Sequence, residues 1–113
     1  MTLELKTGSV VWAAFDPVKG REQGGHRPAV VISSDLYLDV VDTLAIVVPV
    51  TTRDRGWSNH VLLTGATGLD QPSWAMTEQP LTLSRRRLTA RAGSVDEECL
   101  LRIRVYLRDF LDL

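Results

Sequence analysis

The chain is poor in several features that would name a function quickly. It holds one cysteine, Cys99, in 113 residues. An internal disulfide is therefore excluded, and the absence of a second cysteine or a neighbouring histidine argues against a metal site or thiol nucleophile there. Cys99 is expected to be a small buried side chain on a helix. Charge of one sign is also missing. Lys and Arg total 13 against 14 Asp and Glu, a formal net charge of −1, so no global field draws the chain to nucleic acid or anionic lipid. A polyanion would have to be held by a local basic patch. No apolar run approaches the roughly 18 residues of a membrane span. The start, Met1-Thr2-Leu3-Glu4-Leu5-Lys6, lacks the charged and apolar parts of a signal peptide; a cytoplasmic location is expected. Aromatic residues make up 6%, which argues against a peptide-binding module with an aromatic groove. His26 and His60 stand far apart, and neither has a carboxylate pair at helical spacing, so no metal is expected. The phosphate-binding Gly-x-x-x-x-Gly-Lys loop and the Gly-x-Ser-x-Gly elbow are both lacking.

Apolar residues supply 44% of the chain, enough for a core without staples, and the length suits one domain over residues 1–113. The most informative stretch is Lys19-Gly20-Arg21-Glu22-Gln23-Gly24-Gly25-His26-Arg27-Pro28. Its glycines and closing proline read as a loop. Cations, a carboxylate, an amide and an imidazole crowd into it, between two strand-like runs. Such a loop serves binding or catalysis, or else is a solvated hairpin tip.

Residues 9–15 are β-branched and aromatic, hence a strand, ended by Asp16-Pro17. Residues 28–33 are apolar at every position from 29 to 32, which places that strand in mid-sheet. Residues 34–38 read as a helical turn or an irregular link. A third strand covers 44–51, with Pro49 demanding an edge or a bulge. Residues 52–58 form a cationic loop. Strands follow at 60–63 and 72–79, then Arg85-Arg86-Arg87, whose default is a solvated face. A last short strand covers 89–93. Ser94-Val95-Asp96-Glu97 has the spacing of a capping box. Beyond it Leu100, Ile103, Leu107 and Phe110 form one apolar helix face. Five or six short antiparallel strands, no helical crossovers and one terminal helix describe a mainly β (α+β) fold, a small partly open barrel.

Strand ends gather the chemistry. Arg27 stands where the glycine-rich loop re-enters a strand, Thr51 at the end of the third strand, and Glu78 and Gln79 at the end of the fifth. Arginine grips phosphate with two charge-assisted hydrogen bonds and stabilises added charge in a transition state. A threonine hydroxyl adds another bond to the same phosphate. Glutamate and glutamine read base edges. Trp57 on the cationic loop offers a face on which an unpaired base can stack, or else forms the rim of a dimer.

These residues resemble the MazF/PemK-type toxins of bacterial toxin–antitoxin systems. The matching pieces are Gly8-Ser9-Val10-Val11-Trp12, Phe15-Asp16-Pro17, the loop Gly20-Arg21-Glu22-Gln23-Gly24-Gly25-His26-Arg27-Pro28, the strand Val47-Val48-Pro49-Val50-Thr51-Thr52-Arg53, Glu78-Gln79, Arg87-Leu88 with Gly93, and the apolar terminal helix. The resemblance implies an SH3-like barrel, a homodimer, and cleavage of single-stranded RNA without cofactor or metal. In that family the RNA's own 2′-hydroxyl attacks, leaving a 2′,3′-cyclic phosphate and a 5′-hydroxyl. The family's catalytic arginine and threonine fall on Arg27 and Thr51. Glu22 and Gln23 fall where the family shapes its site, and Glu78 and Gln79 where it contacts bases. The general base is Glu22 or His26. Arg53, Trp57 and His26 join the expected RNA contacts, and a MazE-like antitoxin with an acidic flexible tail is the expected partner. Two departures stand out: Ser9 replaces an acidic residue, and the 52–59 loop is variable in the family, so a recognised RNA sequence does not transfer. The competing readings are a CcdB-like toxin acting on DNA gyrase by protein contact, an SH3-like peptide module, and a degenerate toxin that only binds RNA.

Overall fold

The computed structural model describes residues 3–15 and 26–113. Arg21, Glu22 and Gln23 of the glycine-rich loop lie outside them. The elements run β1 (Ser9–Ala14), β2 (His26–Val31), α1 (Asp35–Val40), β3 (Leu44–Thr51), β4 (His60–Leu62), β5 (Trp74–Met76), β6 (Leu81–Ser84), a 3-10 turn (Arg85–Arg87), β7 (Leu88–Ser94) and α2 (Glu97–Leu111). No helix among the described residues is long and apolar enough to cross a membrane.

Seven strands form one sheet in the order β4-β5-β3-β2-β1-β7, with β6 also on β3. Every pairing is antiparallel. Among the described residues no ladder joins the two ends, so the barrel stays open. The seventh strand, one more than expected, is β6, Leu81-Thr82-Leu83-Ser84, whose apolar–polar alternation runs for only four residues.

The valine-rich strands bury both faces because alternate side chains point opposite ways. Val10 lies opposite Val30, and Val30 opposite Val48. These three join Cys99, Ile103 and Leu107 of α2 in one core. Val11 opposite Ala29, and Val31 opposite Val47, belong to a second core with Leu38, Leu83 and Leu88. Both cores are nearly dry, and each fully buried valine contributes roughly 1.5–3 kcal/mol. Cys99 is buried on the helix, as expected.

Other expectations change as well. β2 begins at His26 rather than Pro28, because His26 and Arg27 pair with Ala14 and Ala13 of β1. Pro49 sits neither on an edge strand nor at a bulge. On one side of β3, Leu44 to Val47 pair with β6, and Val50 and Thr51 pair with β5. Pro49 falls between those two partners, where a missing N–H breaks no ladder. The cap of α2 is Asp96, not Ser94: the Asp96 carboxylate accepts from the Cys99 amide at 2.9 Å and from the Thr64 hydroxyl at 2.8 Å. Ser94 is still in β7, paired with Ser9. Finally, Phe110 is 53% exposed. The buried helix face is Cys99, Ile103 and Leu107, flanked by half-buried Leu100 and Tyr106.

Arg85 overturns the solvated reading of the arginine run. Its guanidinium donates to the carbonyls of Leu38, Leu44 and Val41, the last two at 3.1 and 3.3 Å. Two of these carbonyls close α1, whose last turn leaves orphan acceptors. Arg87 donates to the Ala14 carbonyl at 3.1 Å; Arg86 remains exposed. At the far end, the 64–69 turn lies directly on β7. Ser94 N–H donates to the Ala66 carbonyl at 2.9 Å. A Cβ at Gly68, whose φ is +75°, would collide with the Ala92 carbonyl, and one at Gly93 with that of Ala66.

Candidate active site

The β2–β3 ladder ends at Ala29 opposite Pro49, yet both strands continue. Two residues further along each strand stand Arg27 and Thr51. Alternation puts both on the face of Ala29, Val31, Val47 and Pro49, away from α2. Beyond the last rung β3 pairs with β5 on its other side, through Val50 and Thr51. No rung joins β2 and β3 past that point, and Arg27 and Thr51 stand on either side of the break. Arg27 is exposed and has no hydrogen bond or ion pair among the described residues. His26 is exposed beside it. Thr51 is half-buried, and its Oγ1 accepts from the Arg53 amide at 3.1 Å. That bond occupies a lone pair and leaves the hydroxyl proton to donate.

The 52–59 loop leads from Thr51 to β4. Asp54 accepts from the Gly56 amide at 2.9 Å, a side-chain-closed turn in which Gly56 takes φ +73°. The Arg55 guanidinium lies 5.7 Å from the Trp57 ring centroid and its Nη1 is 3.9 Å from Met76 Sδ. Trp57 is 52% exposed and rests on His60, ring centroids 4.8 Å apart. Arg53 is exposed at the head of the loop.

Glu78 and Gln79 lie at the β5–β6 turn, where a second cluster forms around the Glu78 carboxylate. His60 Nε2 is 3.1 Å from both of its oxygens. Asn59 Nδ2 donates to Oε1 at 2.8 Å, and Gln79 Nε2 to Oε2 at 3.2 Å. Burial pushes the Glu78 carboxyl up, but the hydrogen bonds of His60, its own backbone and Gln79 outweigh it, and the carboxyl ends below its usual range. With a carboxylate facing Nε2, the proton belongs on Nε2. His60 Nδ1 is then a buried acceptor with no partner among the described residues.

Arg27 and Thr51 are thus brought to one break in the ladder, and Trp57, Glu78 and Gln79 to one neighbouring cluster. His60, Asn59 and Met76 were not anticipated as members of it. No spacing rule could expose them, since His60 and Glu78 meet only because β4 pairs with β5, His60 opposite Met76. Among the described residues no group of three or more His, Cys, Asp or Glu side chains could hold a metal ion.

The described residues form an open antiparallel barrel with a terminal helix, and they bring an arginine level with a threonine at the ends of two neighbouring strands. Residues 6–111 match the family described as PemK-like, MazF-like toxin of type II toxin-antitoxin system. The chain belongs to that family. It is 36% identical over 92 residues to the endoribonuclease toxin MazF of Escherichia coli K12, covering 80% of this chain and 79% of that one. It is 33% identical over 99 residues to the endoribonuclease EndoA of Bacillus subtilis, covering 85% and 84%. Its fold matches a MazE–MazF crystal structure from Deinococcus radiodurans with a TM-score of 0.81 at 30% identity, over 96% of each chain.

Proposed function

We propose that this protein is an endoribonuclease toxin that cuts single-stranded RNA through attack of the RNA's own 2′-hydroxyl on the scissile phosphate. The observation that carries this reading is the placement of Arg27 and Thr51 on either side of one break in the ladder, level with each other and on one face. The Arg27 guanidinium binds two oxygens of the scissile phosphate and stabilises the charge that grows on them. The Thr51 hydroxyl donates to the same group. The 2′-oxygen attacks phosphorus while its proton passes to a base, Glu22 or His26. The bond to the 5′-oxygen breaks, and that oxygen leaves as a hydroxyl, protonated from solvent. The products are a 2′,3′-cyclic phosphate and a 5′-hydroxyl. An imidazole can both accept and return a proton, which suits His26 to the task.

Recognition lies beside this centre. Gln23, His26 and Arg53 contact the strand, Trp57 stacks on a base, and Glu78 with Gln79 meets a base edge. Arg27, Arg53 and Arg55 supply local attraction that a net charge of −1 does not. The family membership and the endoribonuclease relatives favour this reading over a gyrase-directed toxin. The MazE–MazF structure of the Deinococcus radiodurans relative supports a cognate antitoxin as partner; the homodimer, and an acidic, flexible antitoxin tail that folds on binding, are what the family resemblance implies. We place the protein in the cytoplasm, where both RNA and antitoxin are made. The test is cleavage of single-stranded RNA in EDTA by the wild type, Arg27→Ala and Thr51→Ala. Wild-type cutting that Arg27→Ala retains in full would overturn the assignment. A 2′-deoxy substitution at the cut must stop cleavage and leave binding intact.

A further inference from the structure

We propose that His60 is a positioning residue for base recognition, one buried imidazole that holds both the stacking ring of Trp57 and the polar group Glu78–Gln79. The proposal rests on the endoribonuclease reading and concerns which base is accepted, not how the phosphate is cut.

His60 opens β4, and its side chain is 2% exposed. Below it, Nε2 grips both oxygens of Glu78, which also accept from Asn59 and Gln79. A carboxylate with donors on each oxygen is anchored, and its share in meeting a base edge is to orient Gln79. The consequence passes to Gln79. Its amide nitrogen donates to Glu78 and lies 3.8 Å from Met76 Sδ. The side-chain oxygen of Gln79 is left as an acceptor with no partner among the described residues. Its amide is oriented to present that oxygen to an N–H on a base. On the other side the same imidazole meets Trp57, whose remaining surface is half open. A stacking ring and an oriented acceptor thus share one support, which fixes their spacing relative to each other.

An imidazole suits this double duty because it is flat, to meet Trp57, and carries a donor, to hold Glu78. It also brings a cost. Nδ1 is buried without a partner among the described residues, a state that native proteins seldom tolerate. Phenylalanine would fill the space without that orphan nitrogen. What phenylalanine cannot do is hold the carboxylate, so the function of the histidine lies in Nε2.

The test compares the full-length wild type with His60→Phe, His60→Gln and Glu78→Gln on random-sequence single-stranded RNA, mapping the 5′ ends of the products. KM and kcat are then measured on the oligonucleotide best cut by the wild type, with thermal melts alongside. His60→Phe is expected to keep kcat within about twofold and raise KM about tenfold, the value of one charge-assisted hydrogen bond. Base preference should flatten at one position near the cut. His60→Gln, which restores a donor, should recover preference in part. Glu78→Gln must flatten the same position, which keeps the test decisive if His60→Phe fails to fold. Unchanged KM and preference in a folded His60→Phe, or in Glu78→Gln, overturns the proposal, as does a fall in kcat alone. Wild-type protein that cuts no RNA sinks the endoribonuclease reading, and this inference with it. Wild-type cutting that the variants leave untouched sinks this inference alone.

Discussion

Arg85 and Arg27 carry the same guanidinium into opposite surroundings. Arg85 is half-buried, and three backbone carbonyls around the end of α1 accept its protons. Arg27 is exposed, past the last rung between β2 and β3, with no described partner. In the sequence Arg85 sits in a run of three arginines that reads as a solvated face, while Arg27 closes a polar, glycine-rich loop before a proline. The fold half-buries the first and leaves the second exposed. A guanidinium that already gives three of its five protons to carbonyls is held in place and has few left for phosphate, while Arg27 gives none to any described residue. Density of positive charge along a chain is therefore a poor guide to where a polyanion sits.

The largest effect that would sharpen this contrast is on catalysis. Arg27→Ala should lower kcat/KM by about 10³-fold or more, roughly 4 kcal/mol of transition-state stabilisation, and leave urea unfolding within about 0.5 kcal/mol of wild type. Arg85→Ala should do the reverse. Unfolding should show a loss of about 2–3 kcal/mol for orphaned buried carbonyls, with cleavage per folded molecule unchanged. An Arg85→Ala protein as stable as wild type but unable to bind RNA would break the comparison outright.

Smaller effects test the flanks. Glu78 has its carboxyl pKa lowered on folding, so its contribution to stability is complete above the unfolded value, near 4.3. That contribution fades as pH falls through the lower folded value. The wild type should therefore lose more stability than Glu78→Gln as pH drops from about 5 to 3, by less than about 1 kcal/mol because the group is partly solvated. Parallel pH curves would show that the His60–Glu78 bond contributes nothing. The smallest effect concerns Arg53. Arg53→Ala should weaken RNA binding evenly across sequences and reduce the salt slope by about one phosphate contact. The same substitution at Arg86, exposed but on the turn before β7, should leave that slope alone.

Features encoded within a few residues were legible. The β-branched and apolar runs marked β1, β2 and β3, and an apolar residue at every position put β2 in mid-sheet, because successive side chains point to opposite faces whatever the rest of the chain does. Arg27 and Thr51 were legible as strand ends. Phe110 misled, because periodicity says which face a residue lies on but not how far the sheet extends beneath it. Ser94 misled for a related reason. Its hydroxyl suits a cap, but pairing with β1 holds it in extended backbone two residues too early.

The linear order of residues decided that strands would form, that both faces of the central ones would be apolar, and that a cation and a hydroxyl would stand at the ends of two of them. Those are local matters, governed by propensity and by a period of two. Only folding decided that the two strand ends lie level across a break in the ladder, that Arg85 closes a helix, and that His60 meets Glu78. These are matters of register between segments distant in sequence. Register is set by the packing of whole faces at once, and no short stretch of residues contains it.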